Sequence, residues 1–434
     1  MWLEILLLLF TLIVLLYKYV TKKFDHWQKT GVSFSKPSFP FGSYNLLSSK
    51  KHMNEFILDD YKRFKDEKVY GWFLLGKPIL MINDVELIKT IKVKDFNYFT
   101  DAQDEHSATV QRTGGHLDTL FNAHIGLARG EEWKDIRSTF SPIFTSGKMK
   151  GMMKFILKVS VSLITELGEK ARGGGEFETK EVFGKFSLDA LASCAFGIDG
   201  QSFTNDDAPF VKHAKAIFSQ DPVGGLLIVL KFIPGVAKIY KALNINVQNP
   251  KSVKFFRDIV LQNLKHRRES KERRNDLIDL MLDCIKEEGS IEEEEDDDQY
   301  HQDMKFKHKK IKKLDEMAIV SNAIILLVVG YDTTGMTLAY LSYDLATHPQ
   351  AQDKLRDEVD RAFEEADGDF PDYNTVQSLP YLDMVIYETL RLHSPAPLSI
   401  RACTQDYKLP GTDITLRRNE SVSFPGHGLH ADSR

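Results

Sequence analysis

Apolar residues recur at helical spacing through most of the chain and alternate only locally. The stretch "HMNEFILDDYKRFKDE" (52–67) has the three-and-four period of a half-buried helix. "VYGWFLLGKPILMIN" (Val69 to Asn83) then alternates around Gly76-Lys77-Pro78 and predicts a hairpin. Asp84 stands where its side chain caps a following helix, "VELIKTIKVKDF". From Asp101 to Leu127 the chain is polar with no clear period, long enough to expect a functional or mobile segment. Helical spacing resumes at Glu131 and again from Lys148 to Arg172, where Gly173, Gly174 and Gly175 end it. A segment from Leu314 to Thr347 is apolar on nearly all sides and predicts a long helix through the core, the spine of the fold. The pattern as a whole predicts a mainly α fold with a small β region.

Two apolar stretches depart from the soluble pattern. Trp2 to Tyr17 is apolar except for Glu4 and Thr11, and Lys18, Lys22 and Lys23 follow it. With its flanks that run is long enough to cross a bilayer, and the lysines predict that the body stays cytosolic. The expected organisation is an anchor over 1–23, a proline-containing hinge over 24–47 and one domain over 48–434. The second stretch, "PVGGLLIVLKFIPGVAKIYKA" (Pro222 to Ala242), reads either as core or as a segment dipping into the membrane surface.

Composition narrows the classes. A 434-residue chain that is 42% hydrophobic and 27% charged supports a large core, and a net charge of -5 gives no global argument for nucleic acid. Charge is uneven, with seven consecutive acids from Glu292 to Asp298 and the basic "KFKHKKIKK" after them. Glu287 to Lys313 is therefore expected as an exposed loop, with partner docking as its functional alternative. Cys194, Cys284 and Cys403 are odd in number and widely spaced, which points to a reducing compartment and away from a disulfide framework or zinc site.

Candidate chemistry lies in three places. "VVGYDTTG" (328–335) sets an acid and hydroxyls inside the long apolar helix. Gly330 and Gly335 each weaken that helix by about 1 kcal/mol against alanine, so something needs room or a distortion there. Either a widened turn presents Thr333 and backbone carbonyls to a ligand, or Thr333 and Thr334 bond back one turn and Asp332 faces solvent. In "YETLRLHSPAP", Glu388 and Arg391 share a helical face, and an apolar surround would bury their ion pair. In "EEWKDIRSTFSPIFTSGKMKGM", Trp133 and Arg137 share a face and offer an indole N–H and a guanidinium to one anion, against the alternative of a core tryptophan beside a surface arginine.

The anchor, the proline hinge and these motifs, with "SLDALASCAFGID", "RRNDLIDLML" and "RACTQDYKLPGTDITLRRNESVSFPGHGLHAD", resemble the cytochrome P450 family, in its microsomal animal branch, over nearly the whole chain. The resemblance implies the P450 fold and a haem-thiolate monooxygenase that inserts one oxygen atom of dioxygen into a lipophilic substrate. It implies haem b, electrons from NADPH through a flavoprotein reductase, cytochrome b5 as an accessory partner, and an endoplasmic reticulum membrane location. Asp332 and Thr333 match the acid-alcohol pair that delivers protons, and Gly330 the groove for oxygen. Trp133, Arg137 and Arg401 match residues that bond the haem propionates, and Glu388 and Arg391 a structural pair. Substrate is expected against Asp101 to Leu127, the central helix and Ala396 to Ile400.

Two departures qualify the resemblance. The family's ligand cysteine lies in a glycine-rich loop downstream of "LHAD", and none of the three cysteines stands in such a loop, so the chain is expected to be C-terminally incomplete and to lack the metal ligand. A catalytically dead remnant of the family is the alternative. Val329 stands where the family prefers a smaller residue. A metal-dependent hydrolase built on His427, His430 and Asp432 is the remaining reading.

Overall fold

A computed structural model describes residues 2–44, 50–218, 222–270, 273–274, 276–286, 316–366, 370–396 and 398–432. The expected loop Glu287 to Lys313 lies outside them. The structure is mainly helical with a small β region, and the chain divides into two compact units, 1–108 with 396–434, and 109–395. The single domain expected over 48–434 thus contributes to both.

The first unit begins with α1 (Trp2–Thr21), whose apolar side chains are largely exposed, Leu6 and Phe10 by 62% and 65%. At 20 residues it is about 30 Å long, the thickness of a bilayer core. After it, Trp27 is buried and its Nε1 donates to Trp72 O at 3.0 Å, so the expected hinge packs on the sheet instead of standing off as a spacer. Then come α2 (Met53–Arg63), β1 (Val69–Leu74), β2 (Lys77–Ile82) and α3 (Val85–Lys89), with β3 (Ser399–Ala402) and β4 (Ser421–Phe424) from far along the chain. The sheet runs β1-β2-β4-β3. The hairpin pairs Val69 with Ile82 and turns at Leu75 and Gly76, so Lys77 and Pro78 belong to the strand and not to the turn. Gly76 has φ +78, and a Cβ there would lie 2.9 Å from Val20 O. Asp84 caps α3 as expected, accepting from Leu87 N at 2.9 Å.

Both faces of the sheet are covered. Phe73, Leu80, Ile82, Val422 and Phe424 pack on one side, and Tyr70, Trp72, Ile79 and Met81 on the other. β1 and β2 are therefore nearly continuous buried runs rather than the alternation expected of a half-exposed hairpin.

The second unit is built on helices, among them α4 (Gly130–Phe140), α5 (Thr179–Leu191), α6 (Glu316–Thr347) and α7 (Pro380–Leu392). The helix Ser146–Gly173 ends at Gly174, φ +64, within the expected glycine run. The N-terminal half of α6 is the expected spine, with Ile319, Val320, Ala323, Ile324 and Leu327 essentially inaccessible. Asp101 to Leu127 is not aperiodic, because it holds helices Glu105–Arg112 and His116–Phe121. The second of these is fastened to α6, whose Ser321 hydroxyl donates to Phe121 O at 3.1 Å and whose Asn322 Oδ1 accepts from Ile125 N at 3.0 Å. Pro222–Lys231 and Val236–Ala242 are helices that bury Ala237 and Tyr240 but leave Leu226, Ile228 and Ile239 exposed, so the core reading describes them only in part.

His124 lies in the fastened loop, buried, its Nδ1 accepting from Gly126 N at 3.0 Å. Burial, then the charge of Arg112, pushes its pKa down to about 4. In the unfolded chain an imidazole takes its proton near pH 6.5, so between those values the unfolded state binds more protons and stability rises with pH. Urea unfolding is therefore expected to show a loss approaching about 3 kcal/mol as pH falls from about 7 to about 4. In His124→Asn that component should vanish; equal slopes in the two proteins would refute it.

Candidate functional site

Gly330, Asp332 and Thr333 occupy one unbroken α-helix, with no widened turn. The Thr333 hydroxyl donates to Val329 O at 2.6 Å, the back-bonded alternative. With its proton engaged, the Thr333 oxygen is left as an acceptor. Asp332 is not in an apolar interior: its side chain is 45% exposed and its Oδ1 lies 3.0 Å from Lys180 Nζ on α5. Beside it, burial and then the Asp332 charge push the Tyr331 hydroxyl up, so it stays protonated. The glycines make room for a neighbouring helix. A Cβ on Gly335 would lie 3.2 Å from Gly184 Cα and N, and one on Gly330 would lie 3.0 Å from Leu191 Cδ2. Close approach of α5 to α6 therefore accounts for both residues without a ligand. Val329 is exposed beside them.

Glu388 and Arg391 do pair, Nε to Oε2 and Nη2 to Oε1 each at 2.7 Å, and each holds the other's charge: the Glu388 carboxyl is lowered and the Arg391 guanidinium raised. The expectation of burial fails, because both side chains are about half exposed (56% and 43%) on the outer face of α7 with Met384 and Tyr387. The end of α7 is tied to α6 by His393, whose ring stacks on Tyr340 at 4.2 Å and whose Nε2 lies 3.0 Å from Asp344 Oδ1.

Trp133 packs partly buried against the helical core, which matches the plainer alternative for that residue. Arg137 follows one turn later on α4, and among the described residues no carboxylate pairs with it. Arg401 belongs to the sheet unit, on β3 opposite Val422. Burial pushes its pKa down, and among the described residues its one hydrogen bond is Nη1 to Ile400 O at 3.1 Å. A largely desolvated guanidinium without a carboxylate among the described residues fits an anionic group supplied by a ligand.

The thiols of Cys194 and Cys403 are both pushed up to about 11, chiefly by burial, and Cys403 Sγ donates to Gln405 O at 2.7 Å. Neither presents a thiolate at neutral pH. Asp432 accepts from the Tyr61 hydroxyl at 2.5 Å, and among the described residues no three His, Cys, Asp or Glu groups gather as a metal site, which leaves the hydrolase reading without a centre. A small cleft of about 80 Å³ in the helical unit is lined by Val110, Asp118, Ile228, Lys231 and Val247, with the Asp118–Lys231 ion pair (3.6 Å) in its wall.

Sequence reasoning missed Lys180, the Ser321–Asn322 clasp and the Asp344–His393 tie. Each joins residues at least 49 positions apart, so no local pattern announces them.

Comparison with known proteins gives one consistent result. A sequence model of the cytochrome P450 family matches residues 33–434. The chain is similar to cytochrome P450 3A11 of Mus musculus, 34% identical over 432 residues that make up 99% of this chain and 79% of the relative. It is similar to cytochrome P450 6k1 of Blattella germanica, 31% over 430 residues, 99% of this chain and 79% of the relative. Cytochrome P450 3A7 of Homo sapiens is 33% identical over 430 residues, 99% of this chain and 78% of the relative.

Proposed function

The chain belongs to the cytochrome P450 family, in its animal microsomal branch, and is a haem monooxygenase; we propose that it oxidises a lipophilic substrate with electrons drawn from NADPH through a flavoprotein reductase, cytochrome b5 being an accessory donor. Bound haem supplies the centre at which dioxygen is activated, one atom entering the substrate and the other leaving as water with two electrons and two protons.

The observation that carries the cofactor reading is the desolvated, carboxylate-free guanidinium of Arg401, which suits a propionate. Arg137 and the Trp133 indole are the candidates for the other propionate contact. Asp332 exchanges protons with water at its exposed edge, and the Thr333 oxygen, its own hydrogen held by Val329 O, accepts a hydrogen bond from the water that would carry them onward. Gly330 lies one turn before Thr334 on the same helix. Glu388 and Arg391 brace the end of α7.

The length and exposed apolar surface of α1 support an anchor in the endoplasmic reticulum membrane, with the body cytosolic. Exposed Leu226, Ile228 and Ile239 support a second contact with the bilayer surface. The test is oxidation of a lipophilic probe in vesicles containing reductase and NADPH under labelled dioxygen. One labelled atom per product is expected; product without label, or no haem absorption after incubation with haemin, would overturn the reading.

A further inference from the structure

Outside the residues the family resemblance assigned, one cation stands out. Arg401 pairs with Val422 across β3 and β4, which makes Phe424 its diagonal neighbour on the same face of the sheet. Lys92, in the π-helical turn Thr90–Lys94 that continues α3, holds its ammonium 4.9 Å from the centre of the Phe424 ring. One cation thus lies over the Phe424 ring, and a second, from a separate part of the chain, occupies the neighbouring register position on the same face of the sheet. Among the described residues neither forms an ion pair, and apart from the Arg401 bond to Ile400 O their donors are unspent. Burial first, and then the charge of Arg401, pushes the Lys92 pKa down. A cation–π contact explains where Lys92 rests but not why a second positive charge is kept beside a desolvated guanidinium. A carboxylate between them would reverse the cost, Arg401 offering its planar fork and Lys92 a point charge that reaches it from the solvent side.

We propose that Lys92 is a second cation of the Arg401 site and shares with it one carboxylate of the haem. This rests on the haem reading above.

The full-length apoprotein should be titrated with haemin and with haemin dimethyl ester, whose carboxylates are blocked, by following the absorption band of the bound ligand. Lys92→Met keeps the stem over Phe424 and removes the charge; Lys92→Arg restores the charge. Lys92→Met is expected to weaken haemin binding about five-fold, leave the ester unchanged, and be rescued by Lys92→Arg. Unchanged haemin affinity in Lys92→Met, or equal weakening of haemin and ester, would overturn the proposal while the haem reading stands. Failure of the wild type to bind either ligand would overturn both.

Discussion

Asp332→Asn is expected to lower substrate oxidation by about 10²-fold or more while leaving the free energy of unfolding in urea within about 1 kcal/mol of wild type. The two halves of that expectation come from the same geometry. Asp332 is nearly half exposed and its partner Lys180 is 55% exposed, so the pair is screened and its loss costs the fold little. Asparagine keeps the size and can still accept from Lys180, but it cannot carry a proton. Thr333 cannot replace it, because its hydroxyl hydrogen is engaged by Val329 O at 2.6 Å. NADPH consumption and product formation should be measured together, with haem absorbance as a check that the cofactor is retained. Lys180→Met, which frees the carboxyl without removing it, should retain most of the activity. An Asp332→Asn protein with wild-type turnover would remove Asp332 from the proton route and leave it as a surface ion pair.

What the amino-acid pattern reveals, and what it hides, follows from how local each feature is. The hairpin, the Asp84 cap and the spine helix each depend on residues within a few positions of one another, and each is legible. The helix His116–Phe121 is not, because the groups that start it come from elsewhere. Gly115 at its N-terminus has no side chain to offer, and the free N–H groups of His116, Leu117 and Asp118 are met by Asn244 Oδ1 (2.8 Å) and Asn246 Oδ1 (3.1 and 3.0 Å). Gly115 is itself required there, since a Cβ would lie 2.4 Å from Asn246 Oδ1. The site shows the same division. Glu388 and Arg391 at i and i+3 foretell their pairing, but burial depends on what covers α7, which spacing does not encode. Gly330 and Gly335 signal a need for room, and only the path of α5 shows that a helix fills it.

Asp276→Ala is expected to cost roughly 3–5 kcal/mol, because it breaks a buried pair from one side. Asp276 is wholly buried and Arg267 is 5% exposed, with Nη2 to Oδ2 at 2.9 Å. The same carboxylate accepts from Asp279 N at 3.1 Å at the start of the helix Leu277–Lys286, so one substitution removes a counter-ion and a helix-start bond together. It also loosens the end of the π-helical turn Ala192–Phe196, where Gly197 fits against the pair only because it has no Cβ: one would lie 2.5 Å from Asp276 Oδ2 and 2.9 Å from Arg267 Nη2. Among the described residues Arg267 would then keep only Asp279, at 3.8 Å, as an anion. If stranding that charge is the main penalty, Asp276→Leu with Arg267→Met should unfold at higher urea than Asp276→Ala alone, though it removes more polar contacts. A double variant less stable than the single one would mean that the hydrogen bonds, and not the unpaired guanidinium, set the cost.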